Sequence, residues 1–447
     1  MGKPSALLVI AALLVAVLLI ASTAFAQISA DRDSGSVTLI LTIDKSRFSP
    51  RGIEGLGGHV EYVVDLAPVA IVRVPSHVVD KVAKLPGILH VSRDALVSIS
   101  APPISPPGKG GGEEEQPPQT TPWGVSYINA PNVWSSFNVT GYVPTDKHGT
   151  SVIEVAVVDT GVDTDHPDLS GNLGFCVTVL TRGINQKIAY GKCEDDNGHG
   201  THVAGTVAAL DNGIGVVGVA PTVEVYVAKA LDRRGTGYVS DIIKAIDIVV
   251  KGPDGVVDSD GDGVVAGDSD DDAPEVISMS FGGDSDVPEL HLVLQAAYSY
   301  NITLVAAAGN EGAGSPSYPA AYPEVVAVGA VDESGSVPSW SNRNPEVAAP
   351  GVDILSTYPD DSYATLSGTS MAAPHVSGTV ALIQAARLLH NLTLLPPGEE
   401  NDASNTTVRG ILHLAATDMG YSGYDSLYGY GVVNAYEAVK SAIAGES

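Results

Sequence analysis

Three residues of the 447-residue sequence carry side chains that could act together on a carbonyl group. They are Asp159 at the end of VAVVD, His199 in DNGHGTHVAGT and Ser370 in LSGTSMAAPHVSG. A serine hydroxyl becomes a nucleophile when a base takes its proton and a carboxylate holds and stabilises the imidazolium that forms. Ser370 opens a stretch of helical pattern, where free backbone N–H groups and the helix dipole favour a developing oxyanion. Asn310, in AAAGNEG after a strand-like run, could add a side-chain N–H to the same place. HGTH also sets His199 and His202 one helical turn apart, which invites a zinc reading. The zinc-peptidase pattern, however, needs histidines at i and i+4 with an intervening glutamate, and that glutamate is missing. His202 is expected to be structural, as are His166 and His375.

These side chains are distant in sequence, so a fold must gather them. From Val152 onward, apolar β-branched runs (VIEVAVVD, VEVYVAKAL, EVISMSF, ITLVAAAG, VVAVGAVD) alternate with helical patterns such as HGTHVAGTVAAL and VSDIIKAIDIVV. The expected class is α/β, with a mostly parallel central sheet and helices on both faces. Sites in such sheets collect at the carboxyl ends of the strands. Ahead of this, residues 27–100 combine strand runs (SVTLILTID, HVEYVVDL, PVAIVRVP) with one short helical stretch and read as a small α+β domain. Residues 101–118 are Pro- and Gly-rich and form a linker. Residues 119–447 then form the large domain.

The N-terminus has Lys3, an apolar run from Ala6 to Ile20, and Ala24-Phe25-Ala26. Those are the three regions of a signal peptide, so residues 1–26 should be removed and the protein secreted, an uncleaved anchor being the competing reading. No membrane association is expected after removal. The formal net charge of −29 excludes nucleic acid as a partner, because a phosphate backbone needs Lys and Arg, and it favours cations. Only Cys176 and Cys193 are present. In an oxidising compartment a pair this close is expected to be bridged, the alternative being two buried thiols.

The stretches around Asp159, His199, Asn310 and Ser370 resemble the four signature segments of the subtilisin-like serine proteases, and GYGVVNA resembles that family's closing segment. The resemblance runs from about Gln119 to Glu437. It implies a serine endopeptidase acting on proteins and peptides as a monomer. The implied roles are Ser370 as nucleophile, His199 as general base, Asp159 as orienting carboxylate and Asn310 as oxyanion donor. Gly235, Thr236 and Gly237 in RRGTGY, and Ser280, Phe281 and Gly282 in SFGG, match the two edges that pair with an extended substrate. Ala307, Gly309 and Ser317 match the primary pocket. The family has Gly where this chain has Ser317, which implies a shallower pocket. The small α+β domain resembles the propeptide that assists folding and inhibits the enzyme until self-cleavage, here between Leu96 and Gln119.

Residues 254–275 form an acidic insertion, with nine carboxylates and no basic residue. Such crowding repels unless a cation neutralises it. From Asp258, DSDGDGVVAGDS sets Asp258, Asp260 and Asp262 at positions 1, 3 and 5 and the Val264 carbonyl at 7, the start of an EF-hand loop. Position 12 is Ser269 rather than Glu, so a static calcium site sharing Asp268, Asp270, Asp271 and Asp272 is expected, not a sensor. Calcium-rich subtilisins of hyperthermophilic archaea carry a similar insertion, and this chain resembles them most. The resemblance also implies a tight calcium site from Gln119, Asp168, Asn212 and the carbonyls of Leu210, Ile214 and Val216. Two other classes compete: a calcium-dependent adhesive protein with a vestigial triad, and an esterase. The intact triad with Asn310 disfavours the first, and the peptide-pairing edges disfavour the second.

Overall fold

The computed structural model describes residues 35–99, 116–143, 153–180, 188–258, 261, 265–267 and 272–444. The expected signal peptide and residues 101–115 of the linker lie outside the described residues. So do Asp260, Asp262, Val264, Asp268, Asp270 and Asp271 of the insertion. Two compact units are distinguished, one ending at Asp94 and one running from Ala95 onward together with Asp65–Ala67. The strand after Asp94 is hydrogen-bonded within the larger unit.

In the small unit, β1 (Ser36–Ile43), β2 (His59–Val63), β3 (Val69–Pro75) and β4 (Ile88–Arg93) form an antiparallel sheet of order β2-β3-β1-β4. Two short helices accompany it, α1 (Pro50–Glu54) and α2 (Val79–Val82). Alternation along β1 turns Leu39, Leu41 and Ile43 into a core with Ile53, Val72 and Val82. This is the expected α+β architecture with an apolar core of its own.

The larger unit opens with β5 (Leu96–Ser98), α3 (Trp123–Tyr127) and α4 (Ala130–Phe137). Its sheet has eight strands: β6 (Glu154–Asp159), β7 (Leu173–Thr178), β8 (Ala189–Tyr190), β9 (Glu224–Lys229), β11 (Val276–Met279), β12 (Thr303–Ala307), β13 (Val325–Val331) and β14 (Val347–Pro350). The order is β14-β13-β12-β11-β6-β9-β7-β8, and only β8 runs antiparallel to its neighbour. β10 (Thr236–Tyr238) pairs with β5 instead. Helices α5 (His199–Ala208) and α8 (Thr369–Leu389) pack together on one face, and α6 (Val239–Lys251) and α7 (Pro288–Ser299) on the other. Burial on both faces explains why β6, β11, β12 and β13 are continuous apolar runs rather than alternating ones. The chain leaves β6 towards β9 on one side and β11 on the other, so strand order reverses at β6. In open α/β sheets sites form outside the carboxyl ends of the strands at such a reversal, and Asp159 stands at the carboxyl end of β6.

Candidate active site

Each member of the constellation is placed by an element end. Asp159 is the last residue of β6, His199 the first of α5, and Ser370 the second of α8, and all three are fully buried. His199 Nδ1 lies 2.8 Å from Asp159 Oδ1, which also accepts the Thr160 N–H at 2.7 Å. His199 Nε2 is buried without a hydrogen-bond partner. The Ser370 hydroxyl donates to the Ser280 carbonyl at 3.0 Å, and the Ser280 hydroxyl donates to the Ser370 carbonyl at 2.9 Å.

α5 approaches the strand end closely. A Cβ on Gly200 would lie 2.1 Å from the Gly161 carbonyl oxygen, so only glycine permits the approach. The Asp195 carboxylate accepts from the N–H groups of Asn197, Gly198 and Thr201 and from the Thr201 hydroxyl, at 2.7–3.0 Å. It satisfies donors that the first turn of α5 leaves free and places negative charge at the positive helix end. The sequence reading did not single out Asp195, whose partners are set by the turn rather than by a motif. Lys229, opposite Asp159 in the β6–β9 register, also escaped it. Its ammonium reaches the Thr160 carbonyl and Asp196.

Asn310 follows β12. Its Oδ1 accepts both the N–H and the hydroxyl of Thr369 at 2.9 Å, which turns Nδ2 away from them; Nδ2 is buried without a partner. An amide donor thus stays free beside the start of α8, and sequence gave no hint of the role of Thr369 in aiming it.

The expected edges form one surface with the chain's own residues. Thr236, Gly237 and Tyr238 pair antiparallel with Ser98, Val97 and Leu96. Ser98 and Gly282 exchange both backbone hydrogen bonds, at 3.0 and 2.9 Å, and the Ile99 N–H donates to the Gly235 carbonyl at 2.8 Å. β5 therefore lies between the two edges as a third strand. Ser280 meets Ser370, and Phe281 is buried. Ala307 ends β12. Gly309 and Ser317 are neighbours: a Cβ on Gly309 would lie 2.9 Å from Ser317 Oγ. The same position meets Asn342 and Glu311, joined by a 3.0 Å hydrogen bond, two polar groups beside Gly309 and Ser317 that the sequence reading missed.

The tight calcium residues also converge. Gln119 Oε1 accepts the N–H groups of Asn212 and Gly213 at 2.9 and 2.7 Å, and Asp168 Oδ2 accepts the Val216 N–H at 2.9 Å. Leu210 reaches the same loop by donating its N–H to the Asp168 carbonyl, and the Ile214 N–H donates to Asn212 Oδ1. Asp168 Oδ1 is buried without a well-formed hydrogen bond, although Tyr363 and Asn212 are close. Burial pushes the Asp168 carboxyl up to about 6. An orphaned, buried carboxylate oxygen fits a hard cation. A further trio, Asp163, Asp165 and Asp361, brings carboxylate oxygens within 4.8 Å of one another and was not expected. In the insertion, Asp258 Oδ1 accepts the Gly261 N–H and Asp272 Oδ2 the Asp254 N–H, closing the base of the loop. Cys176 and Cys193 are joined in a disulfide with their Cα atoms 5.5 Å apart. His202 donates from Nε2 to the carbonyls of Ile354 and Ala364, and His375 Nδ1 meets the Met371 carbonyl; both are structural, as expected.

A His–Asp pair at the carboxyl end of a parallel sheet, with a Ser opening a helix packed against that of the His and an amide donor beside the start of that helix, is the arrangement expected of a hydrolase of the serine-nucleophile class. The sequence pattern of the subtilase family of peptidases matches residues 150–431. The alkaline protease of Shouchella clausii is 35% identical over 376 residues, 83% of this chain and 80% of that protein. Subtilisin Savinase of Lederbergia lenta is 37% identical over 325 residues, 72% of this chain and all of that protein. The intracellular serine protease of Paenibacillus polymyxa is 41% identical over 272 residues, 59% of this chain and 72% of that protein. The chain belongs to the subtilase family and is a serine endopeptidase.

Proposed function

We propose that the protein is a secreted, calcium-stabilised endopeptidase of broad specificity, made as a precursor that cuts itself. The observation that carries this reading is the buried Asp159–His199 pair with Nε2 unengaged. Such a pair holds the imidazole in one tautomer and stabilises it once protonated. Ser370 is the nucleophile, His199 takes its proton and returns it to the leaving amine, and Asn310 Nδ2 with backbone N–H groups at the start of α8 receives the oxyanion. An acyl-enzyme forms on Ser370 and water hydrolyses it.

Substrate binds by strand addition between Gly235–Gly237 and Ser280–Gly282, as β5 does within this chain. Ser317, Asn342 and Glu311 make the primary pocket small and polar, which favours small residues there. The small α+β unit acts as intramolecular inhibitor and folding aid. Calcium supplies charge neutralisation and cross-linking, not chemistry: Asp168, Asn212, Gln119 and nearby carbonyls would hold one ion, and residues 254–275 one or more. Secretion is inferred from the N-terminal 26 residues. Likeness to the archaeal calcium-rich enzymes rests on the insertion alone, since the relatives found are named as alkaline and other serine proteases. The test is hydrolysis of casein by the purified protein with and without a serine-directed covalent inhibitor. Hydrolysis that the inhibitor leaves untouched would overturn the reading.

A further inference from the structure

Resting on the peptidase reading above, we infer that Lys229 is a positioning residue for the reaction: acting through Thr160, it holds Asp159 where His199 needs it. Lys229 ends β9 as Asp159 ends β6, and the two are partners in the strand register. Paired residues of adjacent strands send their side chains to the same face, so the lysine stem leaves the sheet beside the carboxylate. The exit of β9 is already tied to this place. The N–H groups of Ala230 and Leu231 both donate to the Asp159 carbonyl, at 2.9 and 3.0 Å. The Lys229 ammonium extends the tie by one residue, donating to the Thr160 carbonyl and, at 2.6 Å, to Asp196.

Thr160 joins the two halves of the catalytic pair. Its N–H donates at 2.7 Å to Asp159 Oδ1, the oxygen that also meets His199 Nδ1. Its hydroxyl oxygen accepts the Gly200 N–H at 2.8 Å, directly after His199 in the first turn of α5. Its carbonyl is the third polar group, and Lys229 is the donor to it. One residue thus spans from the carboxylate to the helix that carries the base, and the lysine fixes its remaining corner.

Burial shows which bond of the ammonium matters. The Lys229 side chain is 8% exposed and that of Asp196 56%, so the attraction between them is weakened by solvent. Such a pair does little to offset the desolvation of a buried cation. Thr160, by contrast, is fully buried, and a charge-assisted bond satisfies its carbonyl out of reach of solvent. Without the lysine that carbonyl lacks its donor, and the peptide must turn to find another. Turning it draws the Thr160 N–H off Oδ1 and lets the carboxylate drift. A misplacement of about 1 Å in a catalytic constellation costs on the order of 10²-fold in rate.

The experiment compares kcat and KM on a peptide substrate for wild type, Lys229→Met, Thr160→Val and Asp196→Asn. Each is purified as the full-length protein, and active sites are counted with a serine-directed covalent inhibitor. Lys229→Met should lose about 10–100-fold in kcat per counted site, with KM little changed. Thr160→Val keeps the shape, removes the acceptor for the Gly200 N–H and should show the same split. Asp196→Asn should cost less than either, because the bond to Thr160 survives it. In an Asp159→Asn background Lys229→Met should add little, since it acts through that carboxylate. A lysine that serves stability alone would lower the melting temperature and leave kcat per counted site at the wild-type value, which overturns the inference. Full additivity with Asp159→Asn overturns it equally. Should Lys229→Met fail to fold, Thr160→Val decides by the same measure. Wild-type hydrolysis that ignores the inhibitor is a different failure, that of the peptidase reading itself.

Discussion

His199 Nδ1 and Asp159 Oδ1 are 2.8 Å apart, and neither side chain touches solvent. A carboxylate in that position keeps the proton on Nδ1 and leaves Nε2 as the base. Asp159→Asn keeps the shape but reverses this preference, and turnover should fall on the order of 10⁴-fold. Ser370→Ala should cost about 10⁶-fold, a figure that comes from subtilisin, a member of this family. Both are read from initial rates on a peptide substrate. Near-normal turnover in either variant would remove these residues from the chemistry.

Asn310→Ala removes the free amide donor while Thr369 remains in place. The turnover number should drop about 10²–10³-fold, again a magnitude known from subtilisin, with KM little changed because the bond forms mainly in the transition state. A raised KM with unchanged turnover would make Asn310 a binding residue.

Asp258, Asp260 and Asp262 changed together to Ala should slow maturation and lower the melting temperature in calcium. Activity of the folded fraction should stay near that of the wild type. A bound ion stabilises by mass action, about 2.7 kcal/mol when free metal exceeds Kd a hundredfold. Chelator should therefore destabilise the wild type more than the variant. Equal melting temperatures and equal calcium dependence would make the insertion a plain solvated loop.

Burial depresses His202 to about 3 and His375 to about 4, from an ordinary value of 6.5. The unfolded chain then binds protons that the folded chain refuses. The stability involved is complete above pH 6.5 and is lost as pH falls towards 4 and then 3, at about 1.4 kcal/mol per pH unit for each group. Denaturant unfolding of the Ser370→Ala protein, which cannot digest itself, measures this between pH 7 and 4.5. In the same background, His375→Gln should show a shallower decline. Parallel profiles would contradict the assignment.

Replacing both Cys176 and Cys193 by Ser should lower stability by about 3 kcal/mol, since the bridge closes a short loop across a sequence separation of 17. Thermal inactivation in the two proteins gives the comparison. No change in half-life would make the bridge incidental.

The places of the candidate residues were legible because each sits where local pattern ends: Asp159 after an apolar run, His199 and Ser370 before helical ones. The parallel sheet was legible for a related reason, since burial on both faces writes itself as unbroken Val, Ile and Ala. What escaped depends on contacts between distant segments. Thr369 bonds Asn310, Asp195 caps α5, and Asn342 bonds Glu311, yet none of these pairings has a spacing that sequence could display. The partners of Leu96–Ser98, in Gly235–Tyr238 and Gly282, are likewise set by distant segments and left no mark in its sequence.

The hydrogen bond from Ser370 to the Ser280 carbonyl has a consequence for how the enzyme meets its targets. Under the proposed strand addition, the same carbonyl would also be an acceptor for a backbone N–H of an incoming chain. A carbonyl oxygen shared between two donors holds each less strongly, so a docking peptide should loosen the hydroxyl from Ser280 and leave it freer to turn to His199. The resting hydroxyl should then be less nucleophilic than one facing a seated backbone. Small acylating agents with no peptide portion should accordingly react sluggishly, and adding a bare backbone amide to the same warhead should quicken them beyond what tighter binding alone provides.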